Sequence, residues 1–357
     1  MREFAGTTIL VVGGAGFVGS NLTAALLTAG PREVIVVDNL LSSERESVPV
    51  DPAITFVEGP ITNDAVLAGL PENLDYVFHL ATYHGNQSSM HDPLADYQNN
   101  ALTTLKLYER VKAVSGLRKV VYASAGCTVA DKTFDTARAT DEDAPVSLHL
   151  DTPYQISKII GEYYSNYYFT RFGLPAVKAR FQNVYGPGEI LGAGRWRGTP
   201  NTVWRNVTPT FVYRALKGDP LPVENGGIAT RDFIYVDDIV RGLIACALQA
   251  PPGEVYNLAS GVETSILELA ESINEMTGNA APIEVGPTRD WDRSGKRFGS
   301  TAKARDQLGF EVDVGIEEGL RRTIGWTRES LATIDACVER HREQMLALAQ
   351  AGDLVSR

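Results

Sequence analysis

Tyr154 and Lys158 stand four residues apart in Tyr-Gln-Ile-Ser-Lys, so on a helix they share one face, one turn apart. A lysine beside a phenol favours the phenolate and lowers its pKa from about 10. Such a tyrosine takes a proton from a substrate hydroxyl as hydride leaves the carbon that bears it. A hydride needs an acceptor, and the start of the chain implies one. In GGAGFVG, Gly13, Gly16 and Gly19 follow a strand-like run and open a helix-like one. A pyrophosphate needs that close backbone approach, together with free N–H donors and the positive end of a helix. Asp38 ends the next strand-like run, where an acid accepts from ribose hydroxyls and repels a 2′-phosphate; this favours NAD over NADP. Taken singly, the Tyr–Lys pair also reads as a surface pair, the glycines as a plain turn and Asp38 as a cap or turn residue.

The elements that must position these residues alternate. Strand-like TTILVV (7–12), EVIVV (33–37), AITFV (53–57), DYVFHL (75–80) and RKVVYA (118–123) are separated by helix-like segments, with a further strand at 175–181. Short, nearly all-apolar strands between helices predict a parallel sheet buried on both faces, the doubly wound α/β Rossmann class. Helices are expected at 93–114 and 153–172. After Gly186-Pro187-Gly188 the character changes, and 188–210 is rich in Gly, Arg, Trp and Thr. We expect a cofactor domain over 1–183, a smaller mixed α/β substrate domain mainly over 184–330, with a late strand able to rejoin the first sheet, and one amphipathic helix with a loose tail over 331–357.

Composition excludes several classes. The 357 residues carry 33 Lys+Arg against 44 Asp+Glu, a net charge of −11. Binding to nucleic acid or to an anionic membrane needs the opposite balance. Any anionic ligand must therefore be held by a few placed arginines and helix ends. Cys127, Cys246 and Cys337 form no CxxC pair, so neither a disulfide framework nor a metal site is expected. No apolar run reaches the ~18–20 residues of a membrane span. The N-terminus leads straight into a strand pattern, so no signal peptide is expected and the chain reads as cytoplasmic.

The motifs GGAGFVG (13–19), Asp38, HLA (79–81), Asn100, YASAGC (122–127), YQISK (154–158), RFQNVYGP (180–187), RDFIYVDD (231–238) and YNLASG (256–261) run in one order over about 10–325. In this the sequence resembles the extended short-chain dehydrogenase/reductases, the NAD-dependent nucleotide-sugar epimerases and dehydratases. The resemblance implies a cofactor wall of Gly13, Gly16, Phe17, Val18, Gly19, Asp38, Asn39, Ile61, Leu80, Ala81 and Asn100 with Tyr154 and Lys158. It places Asn183 near the substrate diphosphate, Arg231 and Arg289 on that diphosphate, and Asn206 in the substrate site. It also implies a homodimer built on the helices near 93–114 and 153–172.

Two departures bear on the reaction. Ala125 stands where the family carries Ser or Thr beside the tyrosine, and strand alternation turns Ser124 to the other face. Cys127, two residues on, resembles the proton-transferring cysteine of GDP-mannose 3,5-epimerases; otherwise an isolated Cys is a small buried hydrophobe. His84 aligns with a substrate-facing loop and is the expected second acid/base; it also reads as a turn residue. Pro60 in Glu58-Gly59-Pro60-Ile61 offers no carboxylate where the family has an adenine-binding Asp. Residues 192–206, with Trp196 and Trp204, read either as a wrap around the nucleotide or as an ordered interdomain loop. The expected function is a nucleotide-sugar epimerase, an isomerase with bound NAD, acting at C3 and/or C5 through Cys127. A 4-epimerase and a non-catalytic NAD-binding scaffold are the alternatives.

Overall fold

The structure is a computed structural model that describes residues 2–129, 133–287 and 295–355. Seven parallel strands form one sheet in the order Val255–Leu258, Ala176–Phe181, Lys119–Ala125, Tyr76–His79, Thr8–Val12, Glu33–Asp38, Ile54–Glu58. Most are buried along their length, as Thr8–Val12 and Lys119–Ala125 are throughout, because helices cover both faces. Ile9, Val11, Phe78 and Val121 pack one face; Leu10, Val12, Val77 and Val120 pack the other.

From Thr8–Val12 the chain winds outward to Ile54–Glu58 and then returns to Tyr76–His79 on the opposite side. That reversal leaves a crevice at the carboxyl ends of the two central strands, where Val12 pairs with His79. The glycine turn, Asp38, the His84 loop and Cys127 all follow strands at this edge.

Beyond residue 183 the chain builds a smaller body from two-stranded pairs, Asn183–Tyr185 with Phe233–Tyr235 and Leu221–Val223 with Ile283–Val285. Its core holds Tyr185, Phe211, Tyr235, Leu269 and Leu320. Val255–Leu258 returns to the large sheet beside Ala176–Phe181, and the helix Val236–Leu248 packs Ile239 and Leu243 into the main core. No helix of the described residues is long and apolar enough to cross a membrane.

The expected single C-terminal helix is two, Leu331–Glu339 and Arg342–Val355. Tertiary bonds at the junction explain the break: Arg340 pairs with Glu44 at 2.7 Å, and His341 Nε2 bonds the Gly192 carbonyl at 2.9 Å. The helical stretch after residue 92 is likewise not uniform. A wide π-type segment, Tyr97–Leu102, interrupts it at Asn100.

Candidate active site

The crevice opens into a cavity of about 410 Å³. One half suits a dinucleotide. The helix Phe17–Leu27 starts at Gly16 with no side chain capping its first N–H groups. Gly13, at φ +85°, passes so close to the next loop that a Cβ would lie 2.5 Å from the Ala81 nitrogen. A glycine is required there, and it leaves room above the helix end for a phosphate. Asp38 accepts from Ala15 N at 3.0 Å, Leu40 N at 2.9 Å and Ser43 Oγ at 3.1 Å, tying the glycine turn to the loop after the second strand. Phe17, Val18, Gly19, Asn39, Ile61, Leu80 and Ala81 also line the cavity, as do Gly59 and Pro60.

The other half carries the titrating groups. Thr152 caps the helix Pro153–Phe172 by accepting from Gln155 N, and Gly173 ends it in the left-handed region. Tyr154 and Lys158 line the cavity from its first turns. Lys158 Nζ donates to the Ala123 carbonyl at 2.9 Å and lies 5.8 Å from the Tyr154 ring centre. Burial pushes the lysine down to about 8. The phenol moves opposite to the sequence expectation. Burial, with Cys127 and Asp96 as neighbours, raises it and outweighs the opposing pull of Arg297.

Cys127 sits on a tight turn, Gly126–Thr128, that leaves the strand Lys119–Ala125 directly into the cavity wall. Burial pushes its thiol up; Arg297 and Lys158 pull the other way. Neither neighbouring hydroxyl is available to Tyr154. Ser124 Oγ donates to Glu162, which is itself paired with Arg180 in a buried ion pair at 2.8 Å. Thr128 Oγ1 donates back to the Ala125 carbonyl at 2.8 Å.

His84 lies across from these groups, its ring edge-on to that of Tyr154. Its Nε2–H donates to Asn206 Oδ1 at 3.0 Å. Burial, reinforced by Arg197 and Arg205, pushes the imidazole down to about 4, so it is neutral near pH 7. Asn206 Nδ2 in turn donates to Glu189 Oε1. Glu189 was not foreseen. It is the lone acid between residues 189 and 206, in a stretch otherwise basic, and that is the signal that could have found it. Burial raises its carboxyl to about 7.

Other expected residues fall elsewhere. Asn183 lines the cavity, but Asn100 does not. Its side chain is fully spent behind the wall: Oδ1 accepts from Tyr83 N at 2.7 Å, and Nδ2 donates to Asp96 at 2.7 Å and Ser157 Oγ at 3.1 Å. It is thus a bolt between the His84 loop and the Tyr154 helix rather than a cofactor contact. Arg231 also lies outside the wall, its guanidinium donating to the carbonyls of Thr230 and Gly295. Arg289 lies outside the described residues. The cations that do line the cavity are Lys158, Arg205 and Arg297. Arg205 is committed to the carbonyls of Ser42 and Ile190, whereas the Arg297 guanidinium makes no hydrogen bond or ion pair among the described residues.

The Arg- and Trp-rich stretch is an ordered strap. Trp196 stacks near His341 and Trp204 near Tyr213, so neither ring lines the cavity. Gly194, at φ +86°, passes where a Cβ would lie 2.4 Å from the Leu41 carbonyl, and its N–H donates to Glu44. The strap clamps the loop after Asp38 to the C-terminal helices.

Residues 9–259 match the model of the NAD dependent epimerase/dehydratase family, and the chain belongs to that family of enzymes, with NAD as cofactor. A UDP-glucose 4-epimerase of Mycolicibacterium smegmatis is 33% identical over 324 residues, 89% of this chain and 98% of that protein. Among solved structures, the Bordetella bronchiseptica enzyme WbmF in complex with NAD+ and UDP is 60% identical, with a TM-score of 0.88 over 97% of this chain and 100% of that one. The epimerase Mth375 of Methanothermobacter thermautotrophicus is 42% identical, with a TM-score of 0.86 over 94% and 96%.

Proposed function

We propose that this chain is a UDP-sugar epimerase that exchanges protons at C3, C5 or both, with His84 as base and Cys127 as acid. One observation carries the reading: a neutral imidazole and a thiol kept protonated by burial line the same cavity as Tyr154 and Lys158. Environments that push two groups toward opposite protonation tasks mark an acid and a base.

NAD, when bound, would accept a hydride from a sugar carbon and return it at the end, so that no net oxidation results. The chain's own residues do the rest. Tyr154 takes the proton of the 4-hydroxyl, and the Lys158 ammonium supports the charge that forms. A carbonyl at C4, or a carboxyl at C6 of a hexuronate, acidifies the neighbouring C–H bonds. His84 removes one such proton, Cys127 delivers another to the opposite face, and solvent then deprotonates the imidazolium and reprotonates the thiolate. Arg297 offers its uncommitted charge to an anionic group of the substrate. UDP as the nucleotide rests on the likeness to WbmF, whose complex contains it.

A 4-epimerase is the second reading, favoured by the 33% identity to UDP-glucose 4-epimerase and by the Tyr154–Lys158 pair. Against it stand Ala125 and the commitment of Ser124 and Thr128 elsewhere. We also infer a homodimer through the helix Pro153–Phe172, which leaves Ile156, Tyr163 and Tyr167 exposed along one face.

The test is turnover of UDP-glucose, UDP-N-acetylglucosamine and UDP-glucuronate by the wild type and by Cys127→Ala and His84→Gln. Each variant loses about 100-fold or more in kcat on the true substrate, with NAD retained. Full epimerase activity in Cys127→Ala overturns the reading.

A further inference from the structure

Three polar side chains from distant parts of the chain form one line into the cavity wall. His84 Nε2–H donates to Asn206 Oδ1, and Asn206 Nδ2 donates to Glu189 Oε1. The line ends on a loose thread: Glu189 is about nine-tenths buried, and its Oε2 has no hydrogen-bond partner among the described residues. Its other end is open too, since His84 Nδ1 makes no hydrogen bond among the described residues. A buried carboxylate oxygen without a partner is costly and needs a reason.

We propose that Glu189, acting through Asn206, is a positioning residue that sets which ring nitrogen of His84 carries the proton, and hence whether His84 meets the substrate as a base or as a donor. This rests on the reading of His84 as an acid/base and adds its control. With Glu189 ionised, the carboxylate needs a donor, so the Asn206 amide turns its NH₂ toward it and its oxygen toward His84. That oxygen only accepts, so Nε2 is protonated and Nδ1 keeps its lone pair. When Glu189 takes a proton from solvent, its O–H needs an acceptor. The amide then turns over, its NH₂ donates to Nε2, and the ring proton moves to Nδ1 by exchange with water. His84 stays neutral in both states, and only its polarity toward the cavity reverses.

An amide is suited to this task because it offers one donor face and one acceptor face and cannot itself titrate. The charged group facing Glu189 is Arg205; those facing His84 are Arg197, Arg205 and Lys158. The three arginine and lysine charges stay fixed below pH 7, so Glu189 is the member of the group that changes there. Its carboxyl lies near 7, against about 4 for the imidazole.

The test is long-range ¹H–¹⁵N correlation on the ¹⁵N-histidine-labelled holoenzyme between about pH 5.5 and 8.5, the window in which neutral-range groups titrate. The His84 signals are those lost in His84→Gln. The expected result is Nε2 protonated at the upper end and Nδ1 protonated at the lower end, with Glu189→Gln showing one tautomer at every pH. Activity follows, with wild-type kcat falling about tenfold per pH unit below Glu189's midpoint and the Glu189→Gln profile flat there. A tautomer that does not change in the wild type overturns the proposal, whatever the variants do. So does the same change in Glu189→Gln. If Glu189→Gln does not fold, Glu189→Asp serves, and an unshifted midpoint there overturns the proposal as well. Failure of the catalytic reading is separate: it shows as full turnover in His84→Gln, whereas the tautomer is read without turnover.

Discussion

The ring of His84 stands edge-on to the ring of Tyr154, their centres 5.8 Å apart. Nothing local holds them there. His84 rides on the loop after the strand Tyr76–His79, and Tyr154 opens the helix Pro153–Phe172. Asn100 joins the two by accepting from Tyr83 N and donating to Ser157 Oγ.

Asn100→Leu should therefore do two things. Loss of a buried, fully bonded amide leaves the Tyr83 N–H and the Asp96 carboxyl short of partners, at a cost of about 2–3 kcal/mol. It also frees His84 from Tyr154, so kcat should fall by about tenfold or more. Thermal denaturation and steady-state kinetics check the two effects; a variant as stable and as active as the wild type contradicts the assignment.

Stability should carry the signature of Glu189. Its carboxyl is a weaker acid folded, near 7, than in the unfolded chain at 4.5. The folded state thus binds the extra proton. The contribution is full below about 4.5 and is lost as pH rises through about 7. Glu189→Gln removes that titration, so the variant should gain on the wild type by about 3 kcal/mol between acid and alkaline ends of this window. Denaturant unfolding of both proteins at each end measures it. A gap that does not change with pH refutes a buried, titrating Glu189.

Asp38 ties the glycine turn to the loop after the second strand. Asp38→Ala removes acceptors for Ala15 N, Leu40 N and Ser43 Oγ together. NAD affinity should drop by about tenfold or more. Heat-denaturing the purified variant and assaying released NAD gives the answer; retention equal to wild type contradicts the role.

The subunit surface is testable by size. Tyr163 and Tyr167, 55% and 53% exposed, lie one turn apart on the helix Pro153–Phe172. The wild type should elute in light scattering at twice 38.7 kDa, and the double change Tyr163→Glu, Tyr167→Glu at the single-chain mass. A monomeric wild type refutes the homodimer.

What could be read from the sequence follows from distance along the chain. Gly13 to Gly19, Asp38, Tyr154 and Lys158 were legible because their geometry is local: a turn between a strand and a helix, and two residues one helical turn apart. The parallel sheet was legible because strands buried on both faces are apolar throughout. Glu189 and Arg297 were not, since their meaning comes from who stands opposite, and Asn206 reaches His84 from 122 residues away. The same holds for the broken C-terminal helix, stopped by Glu44 and Gly192, 296 and 149 residues away along the chain. The Tyr154 phenol went the other way because burial, which spacing does not report, raises it.

Solvent hydrogen tests the central claim most directly. The purified enzyme is incubated in D₂O with UDP-glucose, UDP-N-acetylglucosamine or UDP-glucuronate, and the recovered sugars are read by NMR. A base and an acid that each exchange with solvent must leave deuterium at C3 or C5 of the true substrate, and Cys127→Ala must suppress the deuterium-bearing inverted product. Inversion at C4 with no deuterium at any ring carbon would contradict the account.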